Sequence, residues 1–290
     1  MTAPVSLWVV ATPIGNREDI SERARRILET VDQVLAEDTR HTGRLLDSYA
    51  IKANLLSLQE HNERQRVDGL VEQMRAGRSF ALVSDAGTPL LSDPGYRLVR
   101  ACGDAGLRVA PVPGPSAATA ALSVAGLASD RFSFEGFLPA RRAARRKRLA
   151  RLAEWSGTLL FFESPHRISA ALADLAELFG GDREACLCRE LTKKHETVRR
   201  MPLAALRDWV RDDADQRRGE LVLVVAGAEA GAAATDEIPV AVRELYAELL
   251  QYLPPGTAAG ILARHLNVDR KTLYGFGVDS HGTKSPDSGQ

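Results

Sequence analysis

One stretch of the sequence decides the fold, FALVSDAGTP at residues 80–89. A short apolar run is typical of a buried parallel strand, and the small and polar residues after it predict a loop. The same pattern occurs where residues 7–11 lead into ATPIGN and where residues 108–112 lead into PGPSA. These junctions predict parallel strands whose carboxyl ends carry loops rich in glycine and proline.

Longer amphipathic runs separate these strands, which indicates βα units around a parallel sheet. Helices are predicted at residues 21–30, with Ser21 as the N-cap, at 62–76 and at 96–105. Residues 1–115 are therefore predicted to form an N-terminal α/β domain. Its predicted strands are residues 7–11, 33–36, 54–58, 80–83 and 108–112.

The rest of the chain is predicted to hold a second α/β domain at residues 116–228. A linker at 229–239, a small helical segment at 240–274 and a disordered tail at 275–290 are predicted to follow, since small residues dominate the linker and Gly and Ser the tail. The second domain has predicted strands at 131–137, 158–163, 185–189 and 220–226 and helices at 141–154 and 169–179.

The composition is that of an ordinary globular protein, with 290 residues, 44% hydrophobic and 26% charged, and with 38 basic and 38 acidic side chains. These values exclude disordered and collagen-like chains, and zero net charge requires a local patch for any binding to a polyanion. Three cysteines are too few for a disulfide framework. With no secretory signal and no apolar run of ~20 residues, we expect a cytoplasmic protein.

The loops at the strand ends favour a preformed small-molecule pocket, because glycine lets a backbone approach a ligand and proline stiffens the loop. Ligands of open α/β sheets bind beyond the carboxyl ends of the strands. The alternative is three tight turns without a ligand. The sequence lacks GxGxxG after the first strand, GxxxxGK[ST] and GxSxG, which counts against dinucleotide-binding folds, P-loop NTPases and the α/β-hydrolases.

Six motifs, in order over about residues 7–228, resemble those of one family. They are ATPIGN (11–16), EDTR (37–40), SDAGTPLLSDP (84–94), PGPSA (113–117), ESPHR (163–167) and CRELTK (188–193). The chain resembles the ribosomal RNA small subunit methyltransferase I family of the tetrapyrrole methylase superfamily. The resemblance implies a class III methyltransferase with two α/β domains, S-adenosylmethionine in the cleft between them, a homodimer, and 2′-O-methylation of a cytidine in the decoding region of 16S ribosomal RNA.

The resemblance assigns the methyl donor to the three loops. A sulfonium ligand with an amino-acid end and an adenosine end needs backbone amides and a few polar anchors. Asp85 is a candidate for the ammonium or the ribose of the donor, or else for the cap of an Asx-turn. The predicted donor-binding residues are Pro13, Gly15, Asn16, Ser84, Asp85, Ala86, Gly87, Gly114, Ser116 and Phe162.

Methyl transfer to a ribose hydroxyl also needs a group that takes the proton. Glu163 ends the apolar run at 158–163, so its carboxylate is expected at the cleft. His61 and Lys193 are the other catalytic candidates, although a lone histidine is more often a surface residue. No metal is predicted, since Cys186 and Cys188 share one strand face without a second ligand pair.

Residues 141–151 include seven basic side chains and no acid. Like charges on one helix repel each other by a few tenths of a kcal/mol per pair, and a solvated helix face ordinarily mixes in glutamates. Phosphate contact therefore explains this segment better, and 16S ribosomal RNA or the small ribosomal subunit is the expected partner. The predicted RNA-binding residues are Arg40, Arg141, Arg142, Arg145, Arg146, Arg167 and Arg189.

Two other functions remain open from the sequence. A tetrapyrrole methylase acting on a small macrocycle would need an open apolar cleft and no basic patch, so residues 141–151 discriminate against it. A non-catalytic RNA-binding relative would keep the fold without turnover, and a methyl-transfer assay would separate it from the enzyme.

Overall fold

The computed structural model describes residues 4–228, 240–266, 268 and 271–275. Residues 1–228 form one compact unit and residues 229–290 a second. The predicted linker at 229–239 and all but the first residue of the predicted tail lie outside the described residues. The predicted division of the first unit at residue 115 stays a prediction.

The first sheet is fully parallel and has the strand order β3-β2-β4-β1-β5. It forms as predicted because each strand is a short apolar run that is covered on both faces by helices. Its strands are β1 Leu7–Val10, β2 Gln33–Ala36, β3 Leu55–Ser57, β4 Phe80–Val83 and β5 Val109–Val112, and its helices are α1 Glu22–Thr30, α2 Thr39–Asp47, α3 Glu60–Arg75 and α4 Tyr96–Asp104.

Two side-chain caps fix where helices of this sheet begin. Ser21 Oγ accepts a hydrogen bond of 3.1 Å from Ala24 N, which confirms the predicted N-cap of α1. Asp38 caps α2, a helix that the sequence did not predict, by accepting bonds from Arg40 N and His41 N. The α2 cap sets the direction of the chain just beyond the carboxyl end of β2.

The second sheet is mixed, with the order β6-β7-β10-β8-β9. The pair β6 and β7 is parallel, and the other neighbours are antiparallel. The elements are α5 Ala117–Val124, β6 Phe132–Phe137, α6 Arg142–Leu152, β7 Thr158–Glu163, α7 Ile168–Phe179, β8 Glu184–Arg189, β9 Thr197–Pro202, α8 Leu203–Asp212 and β10 Leu221–Val225.

Each face of the second sheet carries its own core. One face packs against α6, α7 and α8, with Phe161, Leu172 and Leu206 at its centre. The other face contacts the small residues of α5 together with Ile14 from the loop after β1. This second core thereby joins the two sheets of the unit.

The C-terminal unit contains α9 Val240–Leu249, α10 Pro255–Leu266 and a helical segment at 271–275. Tyr246, Leu262 and Leu273 are buried in its core. The small helical segment predicted at 240–274 thus contains helices. In the part of the chain that the structure describes, no helix combines the length and the apolar character needed to cross a bilayer.

Candidate active site

A cavity of about 490 Å³ opens beyond the carboxyl ends of β4 and β7. We call it the main cavity. Its wall comes from both sheets, and its volume lies within the ~300–1,000 Å³ typical of small-molecule sites. The residues that line it include Ile14, Glu37, Asp85, Ala86, Gly87, Asp93, Ser116, Ala117, Phe162, Glu163, Cys188 and Glu220.

Backbone hydrogen bonds tie the three predicted loops together at this cavity. Thr12 and Gly87 exchange two bonds of 2.9 and 3.0 Å, and Thr88 Oγ1 donates a bond of 3.0 Å to Pro115 O. Gly87 has φ +81°, and a Cβ at this position would lie 3.3 Å from Ile14 Cγ2, so a side chain there would be strained. The loops therefore form a fixed wall before any ligand arrives.

The loop after β4 also stores backbone strain. Leu90 and Ser92 have φ values of +74° and +73°, which non-glycine residues rarely adopt. Such conformations concentrate at ligand sites, where the surrounding structure holds them in place. In this loop they bring Ser92 and Asp93 to the wall of the main cavity.

The main cavity is lined by carboxylates, namely Glu37, Asp85, Asp93, Glu163 and Glu220. Burial raises the pKa of Asp93 to about 6, against a hydrogen bond from Ser84 that lowers it. Burial, followed by the charges of Asp85 and Asp93, raises the pKa of Glu37. A bound cation would relieve this repulsion, so the cavity favours a positively charged ligand.

Glu163 is the last residue of β7 and is 3% exposed, as its predicted place at the strand end requires. Its Oε1 accepts a bond of 2.8 Å from Ser164 N and lies 3.2 Å from Arg167 Nε. Burial raises the pKa of Glu163, and the Ser164 N–H and the Arg167 charge offset this only in part. The carboxylate is thus oriented and holds a proton more readily than an ordinary glutamate.

One buried hydroxyl at the main cavity has no partner among the described residues. Ser116 is 8% exposed, and its Oγ makes no hydrogen bond. A buried hydroxyl without a partner costs about 1–3 kcal/mol, which a ligand with a suitable polar atom would recover. S-adenosylmethionine, with two cationic groups and many polar atoms, fits both this hydroxyl and the carboxylate lining.

A second, smaller cavity of about 310 Å³ adjoins the main one, and we call it the side cavity. The two cavities share the residues Ile14, Asp85, Ala86 and Glu220. The side cavity is further lined by Pro13, Gly15, Leu45 and Lys193 and by the basic residues Arg17, His41 and Arg44.

Lys193, a predicted catalytic residue, lies at the side cavity and forms ion pairs with two glutamates. Its Nζ is 2.8 Å from Glu190 Oε1 and 3.2 Å from Glu220 Oε2. Burial opposes the charge of Lys193, but the bond to Glu190 and the charge of Glu220 outweigh it and raise the pKa. Lys193 therefore stays protonated at neutral pH and does not act as a proton acceptor there.

The predicted donor-binding residues divide into three groups. Asp85, Ala86, Gly87, Ser116 and Phe162 line the main cavity, whereas Pro13 and Gly15 line the side cavity. Asn16, Ser84 and Gly114 line neither, and their contacts are structural. Asn16 caps a short 3-10 turn, Ser84 Oγ donates to Ala86 O, and Gly114 packs so closely that a Cβ would lie 3.0 Å from that of Ala11.

His61 is not brought to either cavity. It lies exposed in the first turn of α3. His166 of the ESPHR motif is also exposed and outside the cavity linings. Cys186 and Cys188 are buried on one face of β8, as the spacing predicts, with their Sγ atoms 3.9 Å apart.

The basic segment at residues 141–151 is partly neutralised by acids of the next helix. Asp174 of α7, with a side chain 2% exposed, accepts hydrogen bonds from Arg142, Arg145 and Arg146. Glu177 binds Arg146 at 2.6 Å. The segment itself contains no acid, as the sequence shows, but its partners lie on a separate helix, with Asp174 29 residues after Arg145. The Arg145 side chain is 5% exposed and paired with Asp174, so the structure offers little of it to a phosphate, and its RNA contact stays a prediction.

The other predicted RNA-binding residues differ in their surroundings. Arg40 and Arg141 are exposed, and their RNA contacts stay predictions. Arg167 is engaged by Glu163 and by Leu138 O. Arg189 is 9% exposed and donates to Thr197 Oγ1, so the structure offers little of it to an RNA surface.

Sequence reasoning missed several charged residues at the cavities, among them Glu37, Asp93, Arg17 and Arg44. Glu37 and Asp93 belong to motifs that were recognised, and Glu37 directly follows β2, so its position at a strand end was an available signal. Arg44 carried no signal because helix α2 itself was not predicted, and Arg17 lies in a short 3-10 turn after the ATPIGN motif that was not predicted either.

Comparisons with known proteins agree with this geometry. A family model described as Tetrapyrrole (Corrin/Porphyrin) Methylases matches residues 6–207. Another, described as the RsmI C-terminal HTH domain, matches residues 236–279.

Curated proteins named Ribosomal RNA small subunit methyltransferase I match almost the whole chain. The protein from Xylella fastidiosa is 52% identical over 95% of this chain and 100% of its own length. The protein from Pseudomonas aeruginosa is 50% identical, over 93% of this chain and 95% of its own. The one from Vibrio cholerae is 46% identical, over 97% and 96%. The chain belongs to this family.

The methyltransferase shares its fold with more distant solved enzymes. The methyltransferase CobJ superimposes with a TM-score of 0.57 at 20% identity, over 78% of this chain and 95% of its own. Uroporphyrin-III-C-methyltransferase from Thermus thermophilus gives 0.53 at 22% identity, over 77% and 94%. The predicted family and fold class are confirmed.

Proposed function

We propose that the chain transfers the methyl group of S-adenosylmethionine to the 2′-hydroxyl of a cytidine in the decoding region of 16S ribosomal RNA. The observation that carries the proposal is the main cavity, whose carboxylates favour a cation and whose Ser116 hydroxyl has no protein partner. Relatives named for ribosomal RNA methylation are 45–52% identical to the chain and support the substrate class.

The residues of the main cavity have distinct parts in this reaction. Asp85 and Asp93 attract the positive charges of the donor, and Ser116 supplies a hydrogen bond. When bound, S-adenosylmethionine supplies an electrophilic methyl group that an oxygen nucleophile accepts, with its carbon–sulfur bond breaking. Glu163, buried and oriented by Ser164, takes the hydroxyl proton. Alignment of the two reactants contributes much of the rate acceleration.

A tetrapyrrole methylase activity is less well supported. The solved tetrapyrrole enzymes are 17–22% identical to the chain and show only the fold. The basic segment at 141–151 discriminates less sharply than the sequence predicts, since Asp174 and Glu177 pair with three of its seven basic residues. The carboxylate lining is the better argument, because it would repel the acidic side chains that tetrapyrrole precursors carry.

The partner, the oligomeric state and the location belong to the same proposal. The chain acts on 16S ribosomal RNA or on the small ribosomal subunit, as a cytoplasmic homodimer. Sedimentation equilibrium of the full chain tests the dimer, and a single species of 31.5 kDa would contradict it.

The experiment that tests the function is nucleotide mapping. Small ribosomal subunits lacking the modification are incubated with the full chain and S-adenosylmethionine, and the RNA is analysed by mass spectrometry. We expect one 2′-O-methylcytidine in the decoding region. No methyl incorporation would favour the non-catalytic relative, and methylation of a base would contradict the assigned acceptor atom.

A further inference from the structure

Four exposed basic residues surround the mouth of the side cavity. Arg17, His41 and Arg44 line it, and Arg40 lies one turn before Arg44 on α2. Arg44 Nε donates a hydrogen bond of 3.3 Å to Arg40 O, which ties the two arginines to the same turn of α2. In the described part of the chain no carboxylate forms a salt bridge with Arg17, Arg40 or Arg44, in contrast to the paired arginines of α6.

The side cavity is placed to hold a group that reacts in the main cavity. The cavities share Ile14, Asp85, Ala86 and Glu220, so a group bound in one would lie next to a group bound in the other. Their linings differ in charge, because the main cavity is lined by carboxylates, whereas the side cavity adds the basic residues Arg17, His41 and Arg44 to the shared Asp85 and Glu220. A cationic donor and an anionic acceptor would therefore be sorted into adjacent sites.

Tight packing gives the side cavity a fixed inner wall. A Cβ on Gly15 would collide with Lys193 Cγ and lie 2.8 Å from Thr192 Oγ1. Asn16 N donates a bond of 3.0 Å to Thr192 Oγ1, which joins the loop after β1 to the loop after β8. The wall is thus built from both sheets and does not depend on a ligand.

Resting on the proposed function, we propose that the side cavity is the subsite for the acceptor nucleotide. Arg17, Arg40 and Arg44 bind the phosphates on either side of this nucleotide, and His41 offers a ring against which its base stacks. The ribose then lies beside Asp85 and Ala86, with its 2′-hydroxyl directed to the main cavity. The contacts to this nucleotide thereby centre on α2 and the loop after β1.

The test compares two double variants that remove the same charge. Arg17→Ala/Arg44→Ala changes the proposed subsite, and Arg207→Ala/Arg211→Ala removes two arginines of α8 that are paired with Asp208 and Asp212. Binding to small ribosomal subunits lacking the modification is measured by filter binding between about 50 and 200 mM salt, where phosphate contacts dominate the salt dependence. Donor affinity is measured by calorimetry.

We expect the Arg17/Arg44 variant to bind subunits at least about tenfold more weakly, with a salt slope reduced by about two. Donor affinity should be unchanged, and the α8 variant should resemble the wild type in both measurements. Equal weakening in the two variants, or no weakening in the first, would overturn the subsite. If the wild type still methylates ribosomal RNA when the subsite is overturned, the proposed function stands. A wild type that neither binds the donor nor methylates RNA would contradict the proposed function and the subsite together.

Discussion

The backbone N–H of Asp38 donates a hydrogen bond of 3.1 Å to Oδ1 of Asp85. This bond joins the carboxyl ends of β2 and β4 and holds the Asp85 side chain at the wall shared by the two cavities. Asp38 is itself fixed, because its side chain accepts bonds of 3.1 Å from His41 N and 2.7 Å from Arg40 N, and these bonds lower its pKa. The orientation of Asp85 is therefore built in before the donor binds.

Asp85→Asn separates the charge of this residue from its structural bond. The amide oxygen can still accept from Asp38 N, so the melting temperature should stay near the wild-type value. Donor affinity, measured by calorimetry, should fall about tenfold because a charged contact is lost. Asp104→Asn, at an exposed ion pair with Arg100, is the control and should bind the donor normally. Unchanged affinity in Asp85→Asn would remove this residue from the donor site.

Donor binding should release protons near pH 6. Burial raises the pKa of Asp93 from 3.8 to about 6, so near pH 6 much of this carboxyl is protonated in the folded chain. A bound cation favours the ionised form and lowers that pKa, which expels a proton. Calorimetry in two buffers of different ionisation enthalpy measures the release, which should vanish well above the pKa.

The variant Asp93→Asn serves as the control for this effect and should abolish most of the release at pH 6. It has a second consequence for the free protein. Since the pKa of Asp93 is raised in the folded state, its ionisation destabilises the fold as the pH rises from about 4 to about 6. In the variant, the free energy of unfolding should therefore change less with pH over that window. Proton release equal to the wild type would show that another group carries it.

Glu163→Gln should lower single-turnover methylation by at least about a hundredfold, the usual contribution of a positioned general base, while donor affinity stays close to wild type. Glu163→Asp should recover part of the rate, because it restores a carboxylate. The wild-type rate should rise with pH as the Glu163 proton is lost, since the basic form is the active one. Methylation by Glu163→Gln at the wild-type rate would exclude this residue as the proton acceptor.

Asp174 should be a stability residue and not a catalytic one. It is the buried partner of Arg145 at 2.8 Å, and its loss leaves a guanidinium buried without a counter-charge. Asp174→Asn is expected to lower the free energy of unfolding by about 3 kcal/mol in urea denaturation. Asp208→Asn, which removes an exposed partner of Arg207 and Arg211, should have little effect. Equal stability of the two variants would contradict the structural role of Asp174.

Most of the fold could be predicted because its strands are continuous apolar runs. The bounds predicted for β2, β4 and β7 are those observed, since all three are flanked by residues that do not continue a strand. Helix α2 was missed because Gly43 and several polar residues hide its narrow apolar stripe. Strand β9 was missed because its exposed arginines resemble a loop sequence.

The site was predictable where it depends on strand ends and not where it depends on tertiary partners. Glu163 and Gly87 follow from the position of a strand end, and both line the main cavity. The ion pairs of the α6 arginines were missed because their counter-charge is remote in the sequence. The available signal was Asp174, a lone acid at a buried position of the otherwise apolar inner face of α7.

The central claim is that the main cavity holds the methyl donor, and calorimetric titration of the full chain with S-adenosylmethionine tests it most directly. Ala117→Phe fills the cavity from α5, and Thr119→Phe adds the same ring at an exposed position of that helix. We predict one donor per chain for the wild type and for Thr119→Phe, and no measurable binding for Ala117→Phe that keeps its circular dichroism spectrum. A wild type that takes up no donor with or without RNA, or a folded Ala117→Phe variant that binds it normally, would contradict the claim.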